Sequence, residues 1–238
     1  MNWKGFEGMQ AKGKKLLRTG ICLAALFMLW TMLILTVDVQ NAGQAGTPIG
    51  FAGLNGWFHQ LTGVHMWLYA ITDWLGLIPV FVCLGFAVLG LAQLFRRKSL
   101  AKVDFDIILL GVYFVLVVLL YLLFEMFPLN YRPVLIDGRL ESSYPSSTTL
   151  LVMSVMPAFA FQTNCRLQNT GIQKAVYLFA VIFSAGMVAG RLVSGVHWLT
   201  DIIGSVLLST ALFCMYKAAV ILYCRGQQSI RRFSRGIQ

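Results

Sequence analysis

The chain has 238 residues, 58% of them hydrophobic and 12% charged, a composition too apolar for a soluble domain of this length. Its 19 Lys and Arg outnumber 9 Asp and Glu, but the basic residues stand in short blocks between apolar runs rather than interleaved with aromatics along one surface. That pattern excludes a nucleic-acid binder and makes the bilayer the expected solvent, with membrane lipids as the surroundings of one domain over residues 1–238. The five cysteines, Cys22, Cys83, Cys165, Cys214 and Cys224, show neither zinc-ligand nor disulfide-framework spacing and read as packing residues.

A helix needs about 20 apolar residues to cross the hydrocarbon layer. Such runs lie near 17–37, 74–95, 105–124, 147–163, 175–190 and 199–223, which predicts six spans in an all-α bundle. The first run follows a basic segment over residues 1–16 and precedes a weak small-residue site near Ala45. From Thr19 to Val37 it is longer than a signal-peptide core, so a retained span is expected. Basic blocks surround the runs with one parity. Lys4, Lys12, Lys14, Lys15 and Arg18 come before the first, and Arg96, Arg97, Lys98 and Lys102 between the second and third. Arg166 and Lys174 come between the fourth and fifth, and Arg225, Arg231, Arg232 and Arg235 in a tail over 224–238. The positive-inside rule makes that side cytoplasmic, so both termini are expected inside a plasma membrane and the segments 38–73, 125–146 and 190–200 outside.

The outer segment 38–73 has no Lys or Arg. Within and just after it, Trp57, Phe58, Trp67, Tyr69 and Trp74 surround His59 and His65, a pattern that predicts an interfacial helix near 51–72. Gly85, Gly90, Gly186, Gly190 and Gly204 suit close helix approach, while Pro79 and Pro157 stand where helices can kink.

The other outer clusters carry chemistry. Asn130-Tyr131-Arg132-Pro133 follows the third span, and the Arg132 guanidinium offers planar paired donors for phosphate. Tyr144-Pro145-Ser146-Ser147-Thr148-Thr149 opens the fourth span, where Ser146 or Ser147 is a candidate N-cap and free backbone N–H groups form an anion seat. Arg191-Leu192-Val193-Ser194-Gly195-Val196-His197-Trp198-Leu199-Thr200-Asp201 leads into the sixth. If that stretch is helical, His197 and Asp201 share one face, and the carboxylate orients the imidazole as in a nucleophile–orienter pair. Two arginines, a helix start and a buttressed histidine describe a phosphoryl-transfer pocket.

These residues resemble the type 2 phosphatidic acid phosphatase superfamily, whose signature runs Lys-x6-Arg-Pro, Pro-Ser-Gly-His and Ser-Arg-x5-His-x3-Asp. Arg191, His197 and Asp201 keep the spacing of the third part, Arg132-Pro133 ends the first, and Pro145-Ser146 begins the second. The resemblance implies a nucleophilic histidine at His197 oriented by Asp201, with phosphate held by Arg132, Arg191, Ser146 and Ser147. Four positions depart from it: Glu125 for Lys, Ser147 for Gly, Thr148 for the proton-donating His, and Gly190 for Ser. Thr148 is left as a contact for the leaving group, but a hydroxyl is no general acid at neutral pH.

The expected activity is therefore hydrolysis of a lipid phosphate or diphosphate, without metal or cofactor, because imidazole is the nucleophile and arginines meet the charge. A diphosphate such as a polyprenyl carrier is favoured, since its leaving phosphate is a weaker base than an alkoxide. His59 or His65 is the alternative proton source. An impaired relative that binds headgroups without turnover is the rival, followed by a small lipid transporter, which predicts inverted repeats that the sequence lacks.

Overall fold

Hydrocarbon offers backbone N–H and C=O groups no partners, so apolar runs satisfy them internally as helices. The computed structural model describes the backbone of residues 3–235 and the side chains of residues 8–223. It contains α1 (Trp3–Thr36), α2 (Ala52–Thr62), α3 (Met66–Leu75), α4 (Leu77–Arg97), α5 (Phe105–Met126), α6 (Ser147–Arg166), α7 (Thr170–Val193) and α8 (Leu199–Arg235). The side chains of Lys4, Cys224, Arg225, Arg231, Arg232 and Arg235 lie outside the described residues.

Among the described residues five stretches are long and apolar enough to cross a membrane: Gly8–Thr36, Met66–Arg97, Phe105–Met126, Thr170–Val193 and Leu199–Tyr223. The sixth expected span is α6, which is more polar because it does not face lipid. It packs against α4, α5, α7 and α8 and buries Ser154, Gln162 and Thr163. Tyr113 Oη donates to the Ser154 carbonyl at 3.0 Å and Gln162 Nε2 to Tyr216 Oη at 2.5 Å. Its 20 residues rise about 30 Å, the thickness of the hydrocarbon layer. The chain is an all-α integral membrane protein, a transmembrane helical bundle.

Helices α1 and α8 run antiparallel along most of their length. A Cβ on Gly13 would meet Leu222 Cδ2 at 2.8 Å, and one on Gly20 would meet Met215 Cγ at 2.8 Å. At the other end Trp30 Nε1 donates to the Thr200 carbonyl at 3.1 Å. From Trp3 onward the basic segment before the first span is part of α1. Good helix formers such as Gln10, Ala11, Lys12 and Leu16 carry α1 through it. Of the glycines expected at helix contacts, Gly90, Gly190 and Gly204 do face neighbours within 3.2 Å, while Gly85 and Gly186 have open space. Pro79 is the third residue of α4, where its missing N–H has no intrahelical acceptor to lose.

The basic blocks share one end of the bundle, where Arg97 pairs with Asp104 at 2.7 Å and Arg166 with Asp106 at 2.6 Å. The other three segments meet at the opposite end. Gln44 Nε2 donates to the Pro133 carbonyl at 2.8 Å, Trp198 Nε1 to the Tyr131 carbonyl at 2.8 Å, and the His65 N–H to the Ser194 carbonyl at 3.0 Å.

The interfacial helix expected over 51–72 is two helices, because Gly63 turns the chain with φ of 69° between α2 and α3. Gly76 is itself helical, at φ −60° and ψ −16°, so α3 runs almost directly into α4. Helix α3 packs on α7, while Trp57, Trp67 and Trp74 remain exposed, as headgroup anchors require.

Candidate active site

Between α5 and α6 the chain forms a short hairpin. Ile136 and Arg139 exchange backbone bonds of 3.1 and 2.9 Å across Asp137-Gly138, whose φ values of 49° and 73° are those of a type I′ turn. Further bonds from Arg132 N to Glu141 O at 3.0 Å and from Ser143 N to Asn130 O at 2.9 Å set Asn130, Arg132 and Ser143 into the protein, all three buried.

Helix α7 ends at Val193 and α8 begins at Leu199, so His197 sits in the connecting loop and shares no helical face with Asp201. Gly195, at φ of 69°, makes this turn, and its Cα packs against the Gly63 carbonyl too closely for a side chain. Asp201 lies in the first turn of α8 and accepts the Trp198 N–H at 2.9 Å, the reach-back half of a capping box.

The imidazole and the carboxylate are 3.9 Å apart, beyond hydrogen-bond reach, which differs from the direct pairing expected. Ser143 joins them. Its Oγ donates to Asp201 Oδ2, and His197 Nδ1 lies 3.1 Å from both that Oγ and the Ser143 carbonyl oxygen. A carbonyl only accepts, and the hydroxyl hydrogen is already given to Asp201. Nδ1 therefore carries the ring hydrogen, and Nε2 keeps the lone pair. Asn130 Nδ2 completes the network on Asp201 Oδ1 at 3.4 Å.

His197 Nε2 is buried without a partner, as are Arg132 Nη1 and Arg191 Nε. Both guanidiniums lie over the Tyr69 ring, at 5.7 Å for Arg132 and 4.9 Å for Arg191, which brings the two cations to one place. Burial first, and then the charges of Arg132 and Arg191, hold His197 well below its ordinary value of 6.5, against the opposing Ser143 carbonyl. The imidazole is neutral at neutral pH. Arg132 Nε meets Glu141 Oε2 at 3.3 Å. Arg191 Nη2 donates to Thr148 Oγ1 at 2.5 Å and to Asp73 Oδ1 at 3.3 Å, and Nη1 to Thr72 Oγ1 at 3.4 Å.

Ser146 occupies the N-cap position of α6, but its hydroxyl donates to Thr149 Oγ1 at 3.2 Å rather than capping the helix. Ser147 and Thr148 line an apolar cavity of about 430 Å³ that opens beside Asp73 and descends past Val80, Val117 and Leu151. Glu125 is exposed. His59 and His65 place Nε2 on the Gly195 and Thr62 carbonyls, at 3.1 and 2.9 Å, and so brace the loops instead of entering the pocket. Gly190 is explained by Thr72, whose Cγ2 would stand 2.7 Å from any Cβ there. Among the described residues no cluster of His, Cys, Asp and Glu is suited to a metal ion.

Sequence reasoning missed Ser143, Tyr69, Thr72 and Asp73. Two signals were available: the Asp-Gly turn that folds Ser143 back, and an acidic residue inside the aromatic stretch of α3, a position where charge usually serves a function.

Fold and pocket together define a class, the integral membrane helical bundles that gather a buried histidine and two arginines at one end. The chain belongs to the PAP2 superfamily, whose sequence profile matches residues 80–223. It is similar in fold to the first transmembrane PAP2-type phosphatidylglycerolphosphate phosphatase from Bacillus subtilis, with a TM-score of 0.61 and 20% identity over 84% of this chain and 94% of that one. No curated protein matches it significantly in sequence.

Proposed function

We propose that the protein is a lipid phosphatase that removes a phosphate from a lipid phosphate or diphosphate through a phosphohistidine on His197. One observation carries this reading: an unprotonated, unpartnered Nε2, aimed by Ser143 and Asp201, is buried with two guanidiniums that each keep a free donor. Membership of the PAP2 superfamily and the fold shared with a phosphatidylglycerolphosphate phosphatase support it.

Nε2 attacks phosphorus as the bond to the leaving oxygen breaks, and Arg132 and Arg191 meet the charge on the equatorial oxygens. The first-turn N–H groups of α6, at Ser147 and Thr148, precede the first intrahelical acceptor and add an anion seat. Asp201, through Ser143, faces the ring hydrogen and stabilises the cationic phosphoimidazole. Water then attacks phosphorus, and Nε2 leaves with its electron pair. In this reading the chain is one membrane domain with cytoplasmic termini, and the site lies at the outer leaflet of the plasma membrane.

The test is phosphate release from a panel of lipid monophosphates and diphosphates by purified protein with chelator present. Release that disappears in His197→Ala is expected. Release that survives that substitution would overturn the mechanism.

A second reading, headgroup binding without turnover, is favoured by Thr148 in place of the family histidine. In that case the same panel binds and no phosphate appears.

A further inference from the structure

The family histidine that protonates the leaving group is Thr148 here, and its hydroxyl accepts from Arg191 Nη2 at 2.5 Å. The same nitrogen holds a carboxylate, Asp73 Oδ1 at 3.3 Å. Asp73 lies on α3, before the stretch that matches the family profile.

We propose that Asp73 is the general acid of this site, replacing the imidazole that Thr148 lacks. The inference rests on the phosphatase reading above and deepens it by naming the residue that handles the leaving-group proton.

The placement carries the argument. In-line displacement puts the leaving oxygen on the face of phosphorus opposite Nε2. The apolar cavity beside the pocket is where a lipid chain fits, and its polar end is formed by Asp73, Ser147 and Thr148. A lipid whose chain lies along Val80, Val117 and Leu151 has its ester oxygen at that end, against Asp73. Arg191 joins the two halves: its Nε is unpartnered, while its Nη2 reaches Thr148 and Asp73. The Asp73 side chain is 56% exposed, so it is free to swing from Arg191 when phosphate takes that place. Two other carboxylates near the pocket do not fit the task. Asp201 is enclosed by Ser143, Trp198 and Asn130, and Glu141 pairs with Arg132.

The proton comes with the substrate. A phosphate monoester below its second ionisation, near pH of about 6, carries one hydrogen. Phosphate binding displaces the Asp73 carboxylate from Arg191, and the carboxylate receives that hydrogen. As Nε2 forms its bond to phosphorus, Asp73 passes the hydrogen to the departing alkoxide, which leaves as the alcohol. Water then attacks the phosphohistidine and leaves with the phosphoryl group as dihydrogen phosphate, Nε2 recovers its electron pair, and Asp73 is again a carboxylate, so atoms and charge balance over the cycle. Lipid monophosphates thereby become competent substrates alongside diphosphates.

The experiment compares wild type, Asp73→Asn, Asp73→Glu and His197→Ala, each first shown to elute as a single folded species in detergent. The substrates are a long-chain lipid monophosphate, a lipid diphosphate and p-nitrophenyl phosphate, whose leaving group needs no proton. Asp73→Asn is expected to lower kcat on the lipid monophosphate by about 100-fold or more while changing the other two by less than about 3-fold. It should also flatten the alkaline fall of the monophosphate pH profile, and Asp73→Glu should restore part of both. An equal loss on all three substrates, or a lower KM with unchanged kcat, would overturn the assignment and leave Asp73 as a counter-ion of Arg191. If wild type releases no phosphate, or His197→Ala releases as much, the phosphatase reading itself falls, an outcome distinct from either.

Discussion

The two sides of the pocket are built in opposite ways. On the side of the proposed nucleophile, His197, Ser143, Asp201, Asn130 and Trp198 form a closed, buried network in which nearly every polar atom has a partner and only Nε2 is free. On the side proposed for the leaving group, Thr148 and Asp73 share one arginine nitrogen at the mouth of an open cavity. The first side lies within residues 80–223, the stretch matched by the family profile, while the second draws Tyr69, Thr72 and Asp73 from α3, before it. A nucleophile needs a fixed tautomer and a fixed direction, which a dry, saturated network supplies. A proton carrier must be free to move, which an exposed carboxylate on a separate helix is.

Substitutions on the nucleophile side should therefore act on every substrate alike, and the sharpest is His197→Ala. It is expected to lower phosphate release by at least about 10⁴-fold on monophosphate, diphosphate and aryl phosphate. In the proposed mechanism Arg132→Ala and Arg191→Ala each remove a guanidinium from the transferred phosphoryl group, so each should cost about 10² to 10³ in kcat. Arg191→Ala alone should also alter the ranking of leaving groups, because it frees Thr148 and Asp73. A ranking that stays the same would break the division into two sides.

The pH profile separates the sides differently. His197 is held well below 6.5, and in the proposed mechanism its neutral form is the nucleophile. Activity should therefore persist as pH falls through 6.5 and be lost only as the ring gains a proton further down. The check is kcat/KM against pH for the aryl phosphate, corrected for substrate ionisation, and an acid limb centred at or above 6.5 would contradict the buried cationic setting.

Ser143→Ala keeps the carbonyl that sets the tautomer but cuts the link to Asp201, so kcat should fall by about 10-fold, a typical loss for a group acting through another. The smallest expected effect is structural. Gly190→Ser restores the family residue but drives a Cβ to within 2.7 Å of Thr72 Cγ2, which should reduce stability by about 1–3 kcal/mol, read as a lower melting temperature in detergent.

Much of this molecule was legible in one dimension. Apolar length placed the spans, because hydrocarbon admits only internally bonded helices. Charge parity put Arg132, Arg191 and His197 at one end, because basic blocks mark the other. Spacing within the third motif paired His197 with Asp201 in the right neighbourhood, though not by the direct contact expected from a helix.

What the sequence could not decide is which residues distant along the chain share a hydrogen bond. Ser143 reaches His197 only because the Asp137-Gly138 turn folds the hairpin back into the bundle. Asp73 reaches Arg191 across 118 positions only because α3 packs on α7, through a glycine at 190 that leaves room for Thr72. Helix formation depends on solvent and on neighbours a few residues away, so composition and period determine it. The partner of a buried polar atom depends on how whole helices settle against one another, and that is decided only in three dimensions.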